Sequence, residues 1–266
     1  MSGYDLPPDT PGFAEAQALF AKESRLSVDL PGALLDLSYG SDPRQRFDVF
    51  PAGQNAPAIL FLRGGYWKVG NKEERRFPAN VWHKRGVTWI VANYRLAPIV
   101  SLAEIVTDAD AFVRAVVKNA DQFGIDPDKL HIVGNSAGAH LAAMVSTGEL
   151  GHHIASMTLI SGLFDLLPLL QEEANDWLQL DRAEAERLSP AHHLPPAHIP
   201  LTVCVGGDET DAFKAQSRDF ADACRAHGSE VEHFEAPGQH HIGIIGQCGT
   251  PNTPVFDSLE RRLALS

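Results

Sequence analysis

Residues 130–146 read LHIVGNSAGAHLAAMVS, and this stretch decides the fold of the chain. Its apolar start, Leu130–Val133, predicts a short buried strand, and Ala137–Ser146 predicts a helix. Between them, Gly134–Gly138 matches the pattern G-x-S-x-G. A serine on such a strand-to-helix turn has a strained backbone, and its hydroxyl projects above the sheet at a helix N-terminus, where negative charge is favoured. We therefore predict that Ser136 is a catalytic nucleophile.

Short apolar segments alternate with helical ones on both sides of this turn. The further predicted strands are Ala58–Leu62, Thr88–Ala92, Ser156–Ile160, Leu201–Val205 and Glu230–Glu235. The further predicted helices are Phe13–Arg25, Ser101–Phe123, Asp211–His227 and Thr253–Leu265. Leu34–Tyr39 and Arg46–Phe50, separated by Gly-Ser-Asp-Pro, predict an antiparallel hairpin. The alternation predicts an α/β fold, with a mostly parallel central sheet and helices on both faces.

The length of 266 residues is compatible with a single domain over 1–266. Residues 1–32 are predicted to form an N-terminal tail and a helix that packs over the domain or shields the entrance to the active site. The proline-rich segment 162–198, with a short helix near 171–187, breaks the alternation. We expect it to form a small cap above the carboxyl ends of the strands, where such sheets bind ligands.

A second glycine-rich turn, within Phe61–Trp67, follows an earlier buried strand. Acyl-transfer hydrolases build an oxyanion hole from a loop at this place and from the N–H that follows the nucleophile. The predicted donors are therefore the N–H groups of Gly64, Gly65 and Ala137. The alternatives are a plain turn and a phosphate-binding loop over Gly65–Lys72, and the latter fails because no Ser or Thr follows the lysine.

The partners of a serine nucleophile follow it in the order acid, then histidine. After strand Leu201–Val205 come three carboxylates, of which we favour Glu209 as the catalytic acid, with Asp208 second and Asp211 third. For the base, His241 is the first choice and His240 the alternative. The other histidines lack the spacing of metal ligands, so no metal is expected.

The composition excludes several classes of partner. The formal net charge is −12 and Lys and Arg do not cluster, which argues against nucleic acid and anionic membranes. No apolar run approaches the roughly 20 residues that span a bilayer, and residues 1–12 lack a signal-peptide pattern. Cys204, Cys224 and Cys248 form no zinc or redox motif. We interpret them as idle thiols of a cytoplasmic protein.

With these motifs in place, the chain resembles the kynurenine formamidase (arylformamidase) branch of the α/β-hydrolase superfamily, which is related to esterases of the hormone-sensitive lipase group. The resemblance runs from about Asp36 to the last helix. The blocks that carry it are RGGYWKVGNK (63–72), NYRLAP (93–98), the helix from Ser101, HIVGNSAGAHLAAM (131–144), SGLFDLLPL (161–169), ERLSP (186–190) and the loop of His241. It implies a Ser136–Glu209–His241 triad, an oxyanion hole at Gly64, Gly65 and Ala137, and no cofactor.

The chain departs from the family pattern at two positions, since Arg63 and Asn135 stand where the family usually has histidine. Arg63 could brace the oxyanion loop by binding backbone carbonyls, or its charge could select a substrate that bears a carboxylate. Asn135 is interpreted as a packing change behind the serine. Candidate walls of an apolar pocket are Tyr66, Trp67, Phe164 and Trp177.

The expected activity is hydrolysis of an aryl formamide, or of a related small amide or ester, through an acyl-enzyme. A general carboxylesterase for short-chain or acidic esters is one alternative, and a non-catalytic binding protein of the same fold is another. The expected partner is a small-molecule ester or amide. The oligomeric state stays open, with a homodimer as one alternative.

Overall fold

The strands form one central sheet in the computed structural model, which describes residues 3, 4, 6 and 10–264. The strands are β1 Leu34–Ser38, β2 Arg46–Phe50, β3 Ala56–Leu62, β4 Thr88–Ala92, β5 Ile125–Asn135, β6 Ile154–Ile160, β7 Leu201–Gly206 and β8 Val231–Ala236. Their order in the sheet is β1-β2-β4-β3-β5-β6-β7-β8. β1 pairs with β2, and β2 with β4, in antiparallel fashion. All other pairs are parallel.

Helices connect the strands. They are α1 Phe13–Ser27, α2 Ala79–Trp82, α3 Leu102–Lys118, α4 Ala120–Phe123, α5 Ala137–Ser146, α6 Asn175–Leu178, α7 Arg182–Arg187, α8 Asp211–Ala226, α9 Gly243–Gly246 and α10 Pro254–Ala264. Buried side chains form two clusters: one contains apolar residues of α3, α5 and α8, and the other those of α10 and the loop after β8. The predicted fold class, a mostly parallel sheet with covering helices, is confirmed.

The centre of the sheet consists of parallel strands, and both faces of these strands are buried. Every residue of β4 is buried, and so is every residue of β7. Continuous apolar runs such as Ala58–Leu62 are typical of this position. Since the central strands run in one direction, their carboxyl ends meet at one edge of the sheet. That edge holds the predicted nucleophile and the predicted acid.

Two predicted helices are broken in the structure. The helix predicted over Ser101–Phe123 ends at Lys118, where the Asn119 side chain donates to Ala115 O at 2.7 Å, and α4 follows as a separate turn. The short helix predicted near 171–187 is divided into α6 and α7 by Gln179, whose φ is 52°. In both cases side-chain or backbone geometry of one residue overrides a favourable helical pattern.

The segment 162–198 contacts the elements around the carboxyl edge. Trp177 Nε1 donates to Tyr66 O at 3.1 Å, and Phe164 N donates to Gln216 Oε1 of α8 at 2.9 Å. The division of the chain into one domain with a tail and a cap stays a prediction. Residues 1, 2, 5 and 7–9 of the predicted tail, and the predicted helix end at Leu265, lie outside the described residues.

Candidate active site

Ser136 lies on a sharp turn between β5 and α5. Its φ and ψ are 53° and −123°, a conformation that is strained for any residue other than glycine. Its N–H donates to Ile160 O at 2.8 Å, which fixes the turn to the neighbouring strand. The close approach of α5 to β3 requires Gly138, because a Cβ there would lie 1.9 Å from Leu62 O. The serine that the pattern singled out therefore has the expected elbow geometry.

Glu209 and His241 form the pair that the order of motifs predicted. His241 Nδ1 and Glu209 Oε2 are 2.5 Å apart, and both side chains are buried. The other carboxylate oxygen, Oε1, accepts from Gly206 N at 2.7 Å and from Ser161 Oγ at 2.5 Å. These contacts orient the carboxylate, and a carboxylate on Nδ1 leaves Nε2 of the imidazole for proton transfer.

The electrostatics of Glu209 favour its ionised form. Burial by itself raises the pKa of Glu209, but the charge and hydrogen bond of His241, with the hydrogen bonds from Ser161 and Gly206, more than offset that effect. The net result is a pKa of Glu209 below its ordinary value. A carboxylate that stays ionised in this position stabilises an imidazolium beside it.

The structure does not join Ser136 to His241 by a hydrogen bond. Ser136 Oγ is buried and has no hydrogen-bond partner among the described residues. Asn135 pairs with Ile160, and Ile160 pairs with Cys204, so Ser136, Ser161 and the end of β7 lie in one row. The Ser136 hydroxyl and the His241 imidazole thus lie at the same edge of the sheet.

The alternative acids and the alternative base lie elsewhere in the same loops. Asp208 is exposed, and its N–H donates to Gln239 O at 3.0 Å. Asp211 is exposed in the first turn of α8. His240 is half-buried, and its Nδ1 accepts from Gly243 N at 3.3 Å. None of the three makes the carboxylate–imidazole contact that Glu209 and His241 make.

The glycine-rich loop after β3 reaches Ser136, but one of the expected oxyanion donors already has an acceptor. A Cβ on Gly64 would lie 3.0 Å from Ser136 Cβ, so the loop touches the serine. The N–H of Gly64 donates to Asn135 Oδ1 at 3.0 Å, which corrects the expectation that it faces the oxyanion. Among the described residues, no acceptor takes the N–H of Gly65, and Ala137 as first residue of α5 has none within the helix.

Arg63 braces this loop from within the protein. Its side chain is 1% exposed, and Nη1 donates to Val69 O at 2.7 Å and to Gly64 O at 3.1 Å. Nε donates to Asn93 Oδ1 at 3.1 Å, and the guanidinium lies 4.2 Å above the Tyr94 ring. Burial lowers the pKa of Arg63. These contacts match the first of the two roles considered for Arg63, the binding of loop carbonyls.

The expected pocket residues differ in how they are placed. Trp67 is fully buried and packs edge-on against His140, so it supports the loop from below. Tyr66 and Trp177 line a cavity of about 200 Å³, and Phe164 lines a second cavity of about 320 Å³. Both cavities are adjacent to Tyr4, which the sequence did not single out.

The described residues Tyr4, Leu6, Thr10 and Phe13 line cavities beside the candidate site. Tyr66 donates its hydroxyl proton to Tyr4 O, and Gln216 Nε2 donates to the Tyr4 hydroxyl at 3.0 Å. A cavity of about 70 Å³ lies between three of these residues and side chains near Glu209 and His241. Its lining is Leu6, Thr10, Phe13, Asp208, Glu209, Thr210, Phe213, His240 and His241. Phe13 of α1 lines this cavity, and the role of the helix, as a cover of the domain or a shield of the entrance, stays a prediction.

Residues with a part in the site that sequence reasoning missed are Ser161, Asn93 and Tyr4. Ser161 and Asn93 each directly follow a buried strand, at the edge where Ser136 lies, and that position is a signal that could have found them. Tyr4 carries no such signal, since it belongs to no strand or helix. Throughout the described ranges, no group of three His, Cys, Asp or Glu side chains is placed to hold a metal ion. In the same ranges, no helix is long and apolar enough to cross a membrane.

Comparison with known proteins gives relatives over most of the chain. The BD-FAE family model matches residues 49–161. Kynurenine formamidase of Salmo salar is 29% identical over 232 residues, which cover 82% of this chain and 78% of that protein. Isoprenylcysteine alpha-carbonyl methylesterase of Arabidopsis thaliana is 26% identical over 270 residues, covering 89% of this chain and 61% of that protein.

The solved structures show the same fold. A crystal structure of a protein from Silicibacter sp. TM1040 superposes on this chain with a TM-score of 0.85 and 28% sequence identity. The superposition covers 96% of this chain and 96% of the other.

Proposed function

We propose that this chain is a serine hydrolase that cleaves an aryl formamide or a related small amide or ester. It has the α/β-hydrolase fold, and kynurenine formamidases and esterases are among its relatives. One observation carries the proposal. The buried Glu209–His241 pair lies at the same sheet edge as a strained, unpartnered Ser136 hydroxyl. These residues have the chemistry of a nucleophile, a base and an orienting acid in acyl transfer, which supports the proposal.

In the proposed mechanism, His241 takes the proton of Ser136 as the hydroxyl attacks the substrate carbonyl. The negative charge that develops on the carbonyl oxygen is stabilised by the N–H groups of Gly65 and Ala137. His241 then protonates the leaving amine or alcohol, and an acyl-enzyme forms, which is a formyl-enzyme for a formamide. Water attacks the acyl-enzyme with His241 again acting as base. Glu209 stays ionised throughout and orients the imidazole.

A general carboxylesterase is the second candidate, because the triad serves esters and amides alike. Formamide cleavage requires more of the general acid, since an amine leaves poorly unless it is protonated. The relatives include both an amide-cleaving and an ester-cleaving enzyme. The leaving group therefore has to be determined by experiment.

The first experiment compares hydrolysis of N-formylkynurenine with that of a short-chain aryl ester, using the wild type and Ser136→Ala. We expect turnover of one or both substrates, and a loss of about 10⁵-fold or more in the variant because the nucleophile is removed. Efficient deformylation would assign a formamidase, and ester turnover alone a carboxylesterase.

A fluorophosphonate probe serves as the control for a non-catalytic protein of this fold. The wild type should be labelled on Ser136, and the alanine variant should not. If the wild type is neither labelled nor active on either substrate, the proposed hydrolase function is wrong.

The proposed compartment is the cytoplasm. Cys204, Cys224 and Cys248 are all buried as free thiols, and burial raises the pKa of the Cys224 and Cys248 thiols to about 12. Thiols that are neutral and enclosed suit a reducing compartment, where free cysteines are common.

A further inference from the structure

Ser161 ends β6 in the same way as Ser136 ends β5. Both side chains are buried, and their φ angles are 51° and 53°. Asn135 pairs with Ile160, so the two serines that follow are neighbours at the carboxyl edge. A left-handed φ is unfavourable for serine, and it persists only where surrounding contacts hold it.

The contacts of Ser161 lead to the proposed catalytic acid. Its N–H donates to Cys204 O at 2.7 Å, which fixes its backbone to β7. Its hydroxyl donates to Glu209 Oε1 at 2.5 Å, a length typical of a hydrogen bond from a hydroxyl to a carboxylate. Gly206 N–H donates to the same oxygen at 2.7 Å. Two donors thus hold Oε1, and Oε2 is left for His241.

We propose that Ser161 is a positioning residue of the hydrolase, whose hydroxyl holds the Glu209 carboxylate in the rotamer that orients His241. The inference rests on the proposed function, because it assigns Ser161 a role within the same triad. Ser161 acts through Glu209 and is not itself a nucleophile. Its hydroxyl donates to a carboxylate, and within the described residues no imidazole forms a hydrogen bond with it.

The electrostatic consequence of this contact has a definite direction. The hydrogen bond from Ser161 is one of the contacts that hold the pKa of Glu209 below its ordinary value. Two titratable groups interact with the carboxylate: His241 from the loop after β8, and Cys204 from β7, whose thiol is kept neutral because burial raises its pKa. Asp208 and His240 line the same small cavity as the carboxylate. Without the hydroxyl, the ionised carboxylate is less stabilised, so the pKa of Glu209 rises and its charge is lost at a higher pH.

The test compares Ser161→Ala and Ser161→Gly with the wild type, using the substrate that the wild type hydrolyses. Alanine removes the hydroxyl and keeps the strained backbone, whereas glycine removes the hydroxyl and relieves the strain. We expect both variants to lower kcat about tenfold or more, with KM changed by less than about threefold, since a hydrogen bond to a charged group is lost. The acid limb of the kcat/KM profile should move to higher pH in both.

Ser217→Ala is the matched control. Ser217 is fully buried in α8, and its hydroxyl has no hydrogen-bond partner among the described residues. This variant should keep the kcat and the pH profile of the wild type. Its kinetics and melting temperature show the general effect of deleting a buried serine hydroxyl. Melting temperatures of all variants separate loss of fold from loss of positioning.

Four results would overturn the proposal. Wild-type kcat and an unmoved acid limb in Ser161→Ala would show that the hydroxyl does not position Glu209. A reduced kcat with an unmoved limb and a lowered melting temperature would indicate a structural role. Full recovery in Ser161→Gly would assign the effect to the backbone. A wild type without hydrolase activity would overturn the proposed function together with this inference, whereas the first three results leave that function intact.

Discussion

At the scale of single residues, Glu209 is the side chain on which the candidate site depends. Its Oε1 accepts hydrogen bonds from the Gly206 N–H and the Ser161 hydroxyl, and its Oε2 is hydrogen-bonded to Nδ1 of His241. A carboxylate with every contact defined can hold an imidazole in one tautomer and one orientation. The neighbouring Asp208 is exposed, and a solvated carboxylate with free rotamers cannot do so.

Replacement of the two adjacent histidines tests this assignment. His241→Ala should lower kcat/KM by about 10⁴-fold or more, because the base and its link to Glu209 are lost together. His240→Ala should stay within about tenfold of the wild type, since His240 contacts a backbone N–H and not the carboxylate. Steady-state kinetics on the substrate of the wild type measure both effects. Full turnover by His241→Ala would show that the base is misassigned.

At the scale of elements, the loop after β3 is held by polar contacts from its own first residue. Arg63 binds two of its carbonyls, and Asn93 Oδ1 accepts from both Arg63 Nε and Lys72 N–H. The Gly64 N–H is bound to Asn135. Such contacts hold the loop in one conformation, and the proposed oxyanion hole requires donors that are fixed in advance.

Two substitutions of Arg63 separate bracing of the loop from selection of an acidic substrate. Arg63→Lys and Arg63→Met should both lower kcat by about tenfold or more, equally for a neutral and a carboxylate-bearing ester, because neither side chain reproduces the guanidinium fork. Kinetics on the two esters provide the measurement, and Arg182→Met, at an exposed position of α7, is the control. Two results would instead assign Arg63 to substrate selection. One is a loss of turnover on the acidic ester alone, and the other is turnover of that ester that only the lysine variant retains.

At the scale of the whole molecule, two buried histidines couple folding to pH. Burial lowers the pKa of His131 and of His140 to about 4, whereas the unfolded chain binds these protons near pH 6.5. Below about pH 6.5 the unfolded state therefore holds more protons than the folded one. The free energy of unfolding should fall as the pH drops from 6.5 to 4, by up to roughly 3 kcal/mol for each histidine.

Denaturant unfolding at pH 7.5 and at pH 4.5 measures this dependence. His140→Gln should reduce the loss of stability between the two pH values, because glutamine takes up no proton. His227→Gln, at an exposed position, should leave the difference unchanged. An equal loss of stability in the wild type and in His140→Gln would contradict the assignment of His140.

Local sequence patterns by themselves determined the parallel sheet, the elbow at Ser136, and the order of the proposed nucleophile, acid and base. Strand runs, glycine turns and motif order are properties of short segments. Only the tertiary structure decided which polar groups meet. The Gly64 N–H donates to Asn135, and the Arg63 guanidinium donates to a loop carbonyl. The Ser161 hydroxyl donates to Glu209 across two strand ends. These contacts join residues that are far apart in the chain, and burial removes water as a competing partner, so each donor takes the acceptor that the fold places beside it.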